Sequence, residues 1–263
     1  FTYGTSTLVM AKSGTQTITC LHSTDIYNLT INDGSTTQLF TPNLDSGILD
    51  IFGNLTVNEK LKNHASSANG RIRMKTAGKT ITVGSDVKTT ALAEMAQMVF
   101  DYNGSMNIPE LTTPKLVLET SSNATLVATG DLTVTSELEV NNTTTFNANT
   151  NTIDVKILDV NGGTLDLGNS TVTFQNNGKL RLDDVTSTLS TGNTTITGFG
   201  TGADRNAAHV PSGGNYEVVG SVEKLDIQSG GDLTVVGAVI DCTGSIRQFH
   251  HTLDTQQLLD ADE

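Results

Sequence analysis

Apolar and polar positions alternate along most of this chain. Between 164 and 174, Leu165, Leu167, Val172 and Phe174 are separated by Thr, Asp, Asn and Gly. A period of two sends one set of side chains inward and the other to solvent, as in a half-buried β-strand. The apolar runs are short, and Gly and Asn bound them. Both residues tolerate the left-handed backbone that tight corners require.

The alternating segments recur as phrases. YNLTIN at 27–32, GNLTVN at 53–58, GDLTVT at 130–135 and GDLTVV at 231–236 are versions of one of them. A second is KLVLE at 115–119, KILDV at 156–160, KLRLDDV at 179–185 and KLDIQ at 224–228. Their opening Lys residues are 41, 23 and 45 positions apart, close to two, one and two units of about 22. Alternation alone suits a sandwich or barrel, but here the unit repeats as a unit. A coil of that length carries two or three short strands and cannot bury its apolar face alone, so its neighbours must stack on it. The expected fold is all-β, a parallel β-helix or β-solenoid of about 22-residue coils. With strands about 4.8 Å apart, roughly ten coils make a stack on the order of 50 Å long. Asn and Thr at matching positions of successive coils are expected to form hydrogen-bonded ladders.

Two stretches depart from the pattern. Residues 90–100, TALAEMAQMVF, place Leu92, Met95, Met98 and Val99 at helical spacing behind a capping Thr89 or Thr90, which predicts one short inserted α-helix. Pro109 and Pro114 then predict a loop over 103–114. The tail after Gln248 carries Asp260, Asp262 and Glu263 and reads as a terminal extension, a linker or a subunit contact. The expected organisation is a β-repeat region at 1–88, a helix-and-loop insertion at 89–114, a second β-repeat region at 115–245 and an acidic tail at 246–263. The chain opens without Met on residues that already read as strand, as expected of a processed chain or an excerpt.

Charge narrows the partners. Twenty-eight acidic against fifteen basic residues give a net charge of −13, which disfavours a phosphate backbone and argues against nucleic acid. No run of about eighteen apolar residues predicts a membrane-spanning helix. Cys20 and Cys242 sit near opposite ends of the expected stack, too far apart for a disulfide, and are expected to be free thiols.

Catalytic signatures are weak. His22, His64, His209, His250 and His251 include no pair at helical metal spacing, and adjacent His residues on a strand diverge. Neither Cys lies in a CxxC pair. Asp183 with Asp184, and the acids at 260–263, are the carboxylates a sugar-cleaving or calcium site would use; ordinary turn chemistry accounts for them better. The expectation is therefore no catalytic residues, no cofactor and no metal. Eight Asn-x-Ser/Thr triplets, at Asn28, Asn54, Asn103, Asn123, Asn141, Asn142, Asn169 and Asn193, follow from Asn- and Thr-rich composition. With no Trp, four Tyr and eight Phe, aromatic platforms for an extended polysaccharide are poorly supplied.

The run FTYGTSTLVMAKSGTQTITC, followed by YNLTIN, GNLTVNEKL and GGTLDLGNSTVTF, resembles a repeat family of bacterial surface proteins and marine phage virion proteins. The resemblance covers about 1–60 and 115–240. It implies a β-solenoid rod in a fibre, spike, decoration protein or adhesin and brings no catalytic residues. The expected function is that of a non-catalytic structural protein of a phage particle. It would sit on the virion surface as a homo-oligomer with other virion proteins, and a host-surface glycan is a further partner. The alternatives are a bacterial surface adhesin or extracellular filament subunit, located at the cell surface or secreted, and a β-helical polysaccharide lyase or hydrolase.

Overall fold

Leu29, Leu55 and Ile81 lie in register on three consecutive parallel strands, Asn28–Ile31, Leu55–Val57 and Ile81–Val83, and all three are buried. In each strand inward Leu, Ile or Val alternates with outward Thr, so stacking joins the inward residues into one continuous core. The structure is a computed structural model that describes residues 4–40, 47–66, 69–119 and 122–182, then strand segments at 188–190, 195–199, 208–210, 215–218, 225–227, 232–235 and 247–248; side chains are described up to residue 175.

Three faces wind about this core. The first begins as the four-stranded sheet Thr7–Met10, Asn28–Ile31, Leu55–Val57 and Ile81–Val83. It resumes as the five-stranded sheet Gly104–Ile108, Ala124–Ala128, Thr145–Asn147, Thr164–Asp166 and Thr188–Ser190. The second starts with Gly14–Thr19, Ser35–Phe40 and Lys60–Asn63. Further along, it is formed by the leading halves of the long strands Leu111–Leu118, Leu132–Asn141, Thr152–Asn161 and Thr171–Leu182. The third is a single sheet through the stack, from Thr24–Ile26, Ile48–Ile51, Arg71–Met74 and Gln97–Phe100 into the trailing halves of those long strands. Register shifts at Thr113/Lys115, Val134/Glu137 and Val155/Ile157 mark the corners where a long strand turns from the second face to the third. The strands all pair in parallel, in about eight turns spaced by about 21 residues. The chain is a β-solenoid.

The recurrent phrase GNLTV or GDLTV is a corner followed by a strand. A Cβ on Gly53 would come within 2.2 Å of Asn28 Oδ1 and 2.7 Å of the Tyr27 carbonyl, and one on Gly130 within 2.5 Å of the Glu110 nitrogen. Only glycine allows the coils to approach so closely there. The next residue supplies an acceptor to the following coil: Asn28 Oδ1 receives the Asn54 N–H at 2.7 Å, Asn54 Oδ1 the Thr80 N–H at 3.0 Å, and Asp131 Oδ1 the Thr152 N–H at 2.7 Å. Asn103 does the same for Asn123 at 2.9 Å. These ties join Asn and Asp side chains to the backbone of the next coil, where ladders of Asn and Thr side chains were expected. They engage the Asn side chains of several glycosylation-type triplets, and Asn141, only 3% exposed, donates to the Leu118 carbonyl and to Glu139.

Residues 90–100 form no α-helix. Gln97–Phe100 is a strand on the third face, between Arg71–Met74 and Leu116–Leu118. Ala91, Leu92 and Met95 enter the core through the irregular turn before it. The spacing that suggested a helix arises because a turn and a strand both point apolar side chains inward. Parallel pairing on two sides, with β-branched Val99 in the strand, outweighs local helix propensity. A single 3-10 turn, Ser85–Val87, precedes it. The loop expected at 103–114 is also replaced by strands, Gly104–Ile108 and the start of Leu111–Leu118. Pro114 stands at the register shift, where no ladder hydrogen bond is lost.

Candidate functional site

The outward side of the third face carries a run of charged residues. Asp50, Arg73, Val99, Val117, Glu139 and Asp159 form one column of successive partners along it. Arg73 donates to Asp50 through Nε at 2.6 Å and Nη2 at 2.9 Å, and Ser23 Oγ donates to the same carboxylate. Asp101 takes Lys75 Nζ at 2.5 Å and lies 3.7 Å from Arg73. The bond to Asp50 holds the Arg73 guanidinium above its ordinary value.

A second cluster lies further along. Lys115 Nζ reaches Glu137 at 2.6 Å and Glu139 at 2.7 Å, both on the next coil. Burial alone would push the ammonium down; the hydrogen bonds to the two carboxylates outweigh it and raise it. Glu137 occupies the register position of Lys115, so the coil that interrupts the recurrent Lys phrase supplies the opposite charge. Both clusters pair charge with charge between coils.

A cavity opens as a window in the first face. Strand Ile81–Val83 pairs only with Leu55–Val57, and Gly104–Ile108 only with Ala124–Ala128, so two sheet edges face each other in the middle of the stack. Gly78, with φ of +67°, turns so that its N–H reaches the Ser105 carbonyl at 2.9 Å and closes one end. The Thr112 N–H to Lys88 carbonyl bond at 3.0 Å and the Lys88–Glu110 ion pair at 2.6 Å close the other. Between them is a half-open space of about 370 Å³. Its floor is Ile81 and Met106, both buried, and its rim includes Lys79, Thr80, Ser105, Asn107 and Thr129. Lys79 Nζ lies 5.6 Å from the Tyr27 ring centroid and 3.4 Å from its hydroxyl.

Of the residues weighed for chemistry in the sequence, Cys20 is a free, fully buried thiol; burial pushes it up, and the Thr24 bond offsets part of that. His64 stacks obliquely on Phe40 at 4.8 Å and accepts the Ser66 N–H at 3.1 Å. His22 lies on the first coil, where its carbonyl accepts the Thr24 hydroxyl. Asp183, Asp184, Cys242, His250, His251 and the acids at 260–263 lie outside the described residues, as does the His209 side chain. Among the described residues no three His, Cys, Asp or Glu side chains converge as metal ligands, and no helix is long and apolar enough to cross a membrane. The window was not read from the sequence. Its trace there is negative: TAGKT at 76–80 abandons the corner phrase, and Pro109 follows it.

No protein-family model matches the chain, and no curated protein or solved structure matches it either.

Proposed function

We propose that this chain is a non-catalytic structural module of a phage particle, a fibre, spike or decoration protein at the virion surface that assembles as a homo-oligomer with other virion proteins. One observation carries the reading: successive coils are joined by ties that serve rigidity. A ladder of backbone hydrogen bonds runs unbroken along the third face, Asn and Asp acceptors tie the corners, and the outward charges of the third face neutralise one another between coils. Neighbours held by backbone bonds, packing and ion pairs make a solenoid a stiff rod.

Electron microscopy of the native source particle, with an antibody against this chain and intact-mass measurement of the isolated protein, tests the proposal. Label on rods projecting from a capsid or tail supports it. Label on a bacterial envelope in the absence of particles replaces it with a surface adhesin, and label on free filaments with an extracellular filament subunit. A chain that is monomeric, free of any particle and able to cleave a polysaccharide overturns it in favour of an enzyme.

A further inference from the structure

We propose that the solenoid carries a hinge at the level where Gln97–Phe100 meets Leu111–Leu118, with the third face as its continuous leaf and the first and second faces as the sides that part. The inference goes beyond the structural role and holds whatever the rod is attached to.

On the third face the parallel ladder crosses this level without a break. Met98, Val99 and Phe100 pair with Leu116, Val117 and Leu118, and the Glu119 N–H continues to the Phe100 carbonyl at 3.0 Å. The other two faces break here together. The first-face sheet ends at Ile81–Val83 and restarts at Gly104–Ile108. On the second face Lys60–Asn63 closes one sheet, and the chain at 85–95 forms the Ser85–Val87 turn and an irregular stretch. The leading half of Leu111–Leu118 then pairs only forward, with Leu132–Val134. On these two sides the break is spanned by the Gly78 N–H to the Ser105 carbonyl, the Thr112 N–H to the Lys88 carbonyl and the Lys88–Glu110 ion pair. The side chains of that pair are 39% and 46% exposed, and ion pairs so open to water hold weakly.

The core is soft at the same level. Four of the five methionines in the chain, Met74, Met95, Met98 and Met106, fall within this stretch, and all four are buried. Coils to either side are filled by branched and aromatic residues such as Leu29, Leu55, Leu126 and Phe146. An unbranched thioether changes rotamer and re-packs at low cost when its neighbours shift, whereas branched side chains hold their places. The half-open space of about 370 Å³ beside Ile81 and Met106 gives the first face room to move, where a paired sheet would have none. One unbroken sheet, two broken ones and a methionine core together make a hinge: the leaf keeps its backbone bonds while the opposite side opens and closes. With packed sheets roughly 10 Å apart, a rotation of about 20° about the third face displaces the first by about 3 to 4 Å.

The test is a comparison of two distances by pulsed electron spin resonance on the 263-residue chain, with nitroxides on introduced cysteines in a Cys20→Ala, Cys242→Ser background. Thr30→Cys with Thr145→Cys spans the break along the first face; Asp25→Cys with Asn161→Cys spans it along the third. The first-face distribution is expected to be about 3 to 4 Å broader than the third-face one. Met95→Leu, Met98→Leu and Met106→Leu together conserve volume and should narrow the first-face distribution by about half. Lys88→Met removes the exposed ion pair and should widen it by about 1 Å, as should about 1 M salt, which screens the pair. Equal widths for the two label pairs overturn the proposal: both narrow means a rod without a hinge, and both broad means loosening along the whole stack. A broad first-face distribution that neither the Lys88 nor the methionine variant alters also overturns it, because the motion then lies elsewhere.

Discussion

Arg73 grips both carboxylate oxygens of Asp50 from the neighbouring coil, at 2.6 and 2.9 Å, with the Asp50 side chain only 5% exposed. Removing the arginine strands a buried carboxylate with the Ser23 hydroxyl as its remaining described donor. Arg73→Met is expected to destabilise the chain by about 3 to 5 kcal/mol. The double variant Asp50→Leu with Arg73→Met should recover most of that loss, since apolar side chains of similar size replace buried ion pairs well. Urea unfolding of the three proteins decides it; a double variant as weak as the single one would mean that packing, not charge, sets the loss.

Gly53 and Asn28 should behave as a coupled pair. A Cβ at 53 collides with Asn28 Oδ1 and with the Tyr27 carbonyl, so Gly53→Ala should lower stability by about 2 kcal/mol. Asn28→Ala removes the acceptor for the Asn54 N–H and should lower it by about 1 kcal/mol. With the Asn28 amide gone, the nearest of the three close contacts at 53 is gone too, so the combined loss should fall short of the sum. Strict additivity in a double-mutant cycle would contradict the contact.

Alkali is expected to weaken the fold. The Tyr102 ring is buried, and desolvation raises its hydroxyl well above 10; burial likewise raises Cys20 above 9, and the two glutamates raise Lys115. Each group holds its proton more tightly when folded. The stability it contributes is therefore complete below its unfolded value and is lost as pH climbs through the folded one. The melting temperature should be flat through neutral pH and decline from about pH 9 upward, in step with the unfolded values of Cys and Tyr. Tyr102→Phe should flatten the decline above about pH 10 while losing the bond to the Thr125 carbonyl. A melting temperature unchanged to pH 11 would refute the linkage.

Core damage should stay local. Leu126 is fully buried and stands in register between Met106 and Phe146. Leu126→Ala should destabilise by about 3 kcal/mol. Because each coil touches only its neighbours, hydrogen exchange should accelerate in 104–108 and 145–147 and leave 28–31 unchanged. Uniform acceleration along the chain would indicate one cooperative unit instead.

The strands and their stacking were legible because one rule, inward apolar residues at a period of two, runs through Leu29, Leu126, Leu165 and Phe174 alike. Which face a phrase occupies was not. NLTI at 28–31 and NLTV at 54–57 share the first face, whereas DLTV at 131–134 lies on the second, because the phrase encodes a corner and its strand without naming the corner. The stretch at 90–100 misled because Leu92, Met95 and Met98 enter the core from a turn and a strand at intervals that mimic a helix. The window was invisible for a related reason. It is a missing pairing between Ile81–Val83 and Gly104–Ile108, marked in the sequence only by the loss of the corner phrase at 76–80.

The coil register also makes the molecule a ruler. Inward residues such as Leu138 and Leu158 meet their equivalents in the next coil and need nothing from coils further off. Duplicating or deleting one repeat would change the length by a single step of about 4.8 Å and leave the remaining joints intact. Reach is thus set by arithmetic on the gene, in uniform increments, and can be retuned without redesigning any interface.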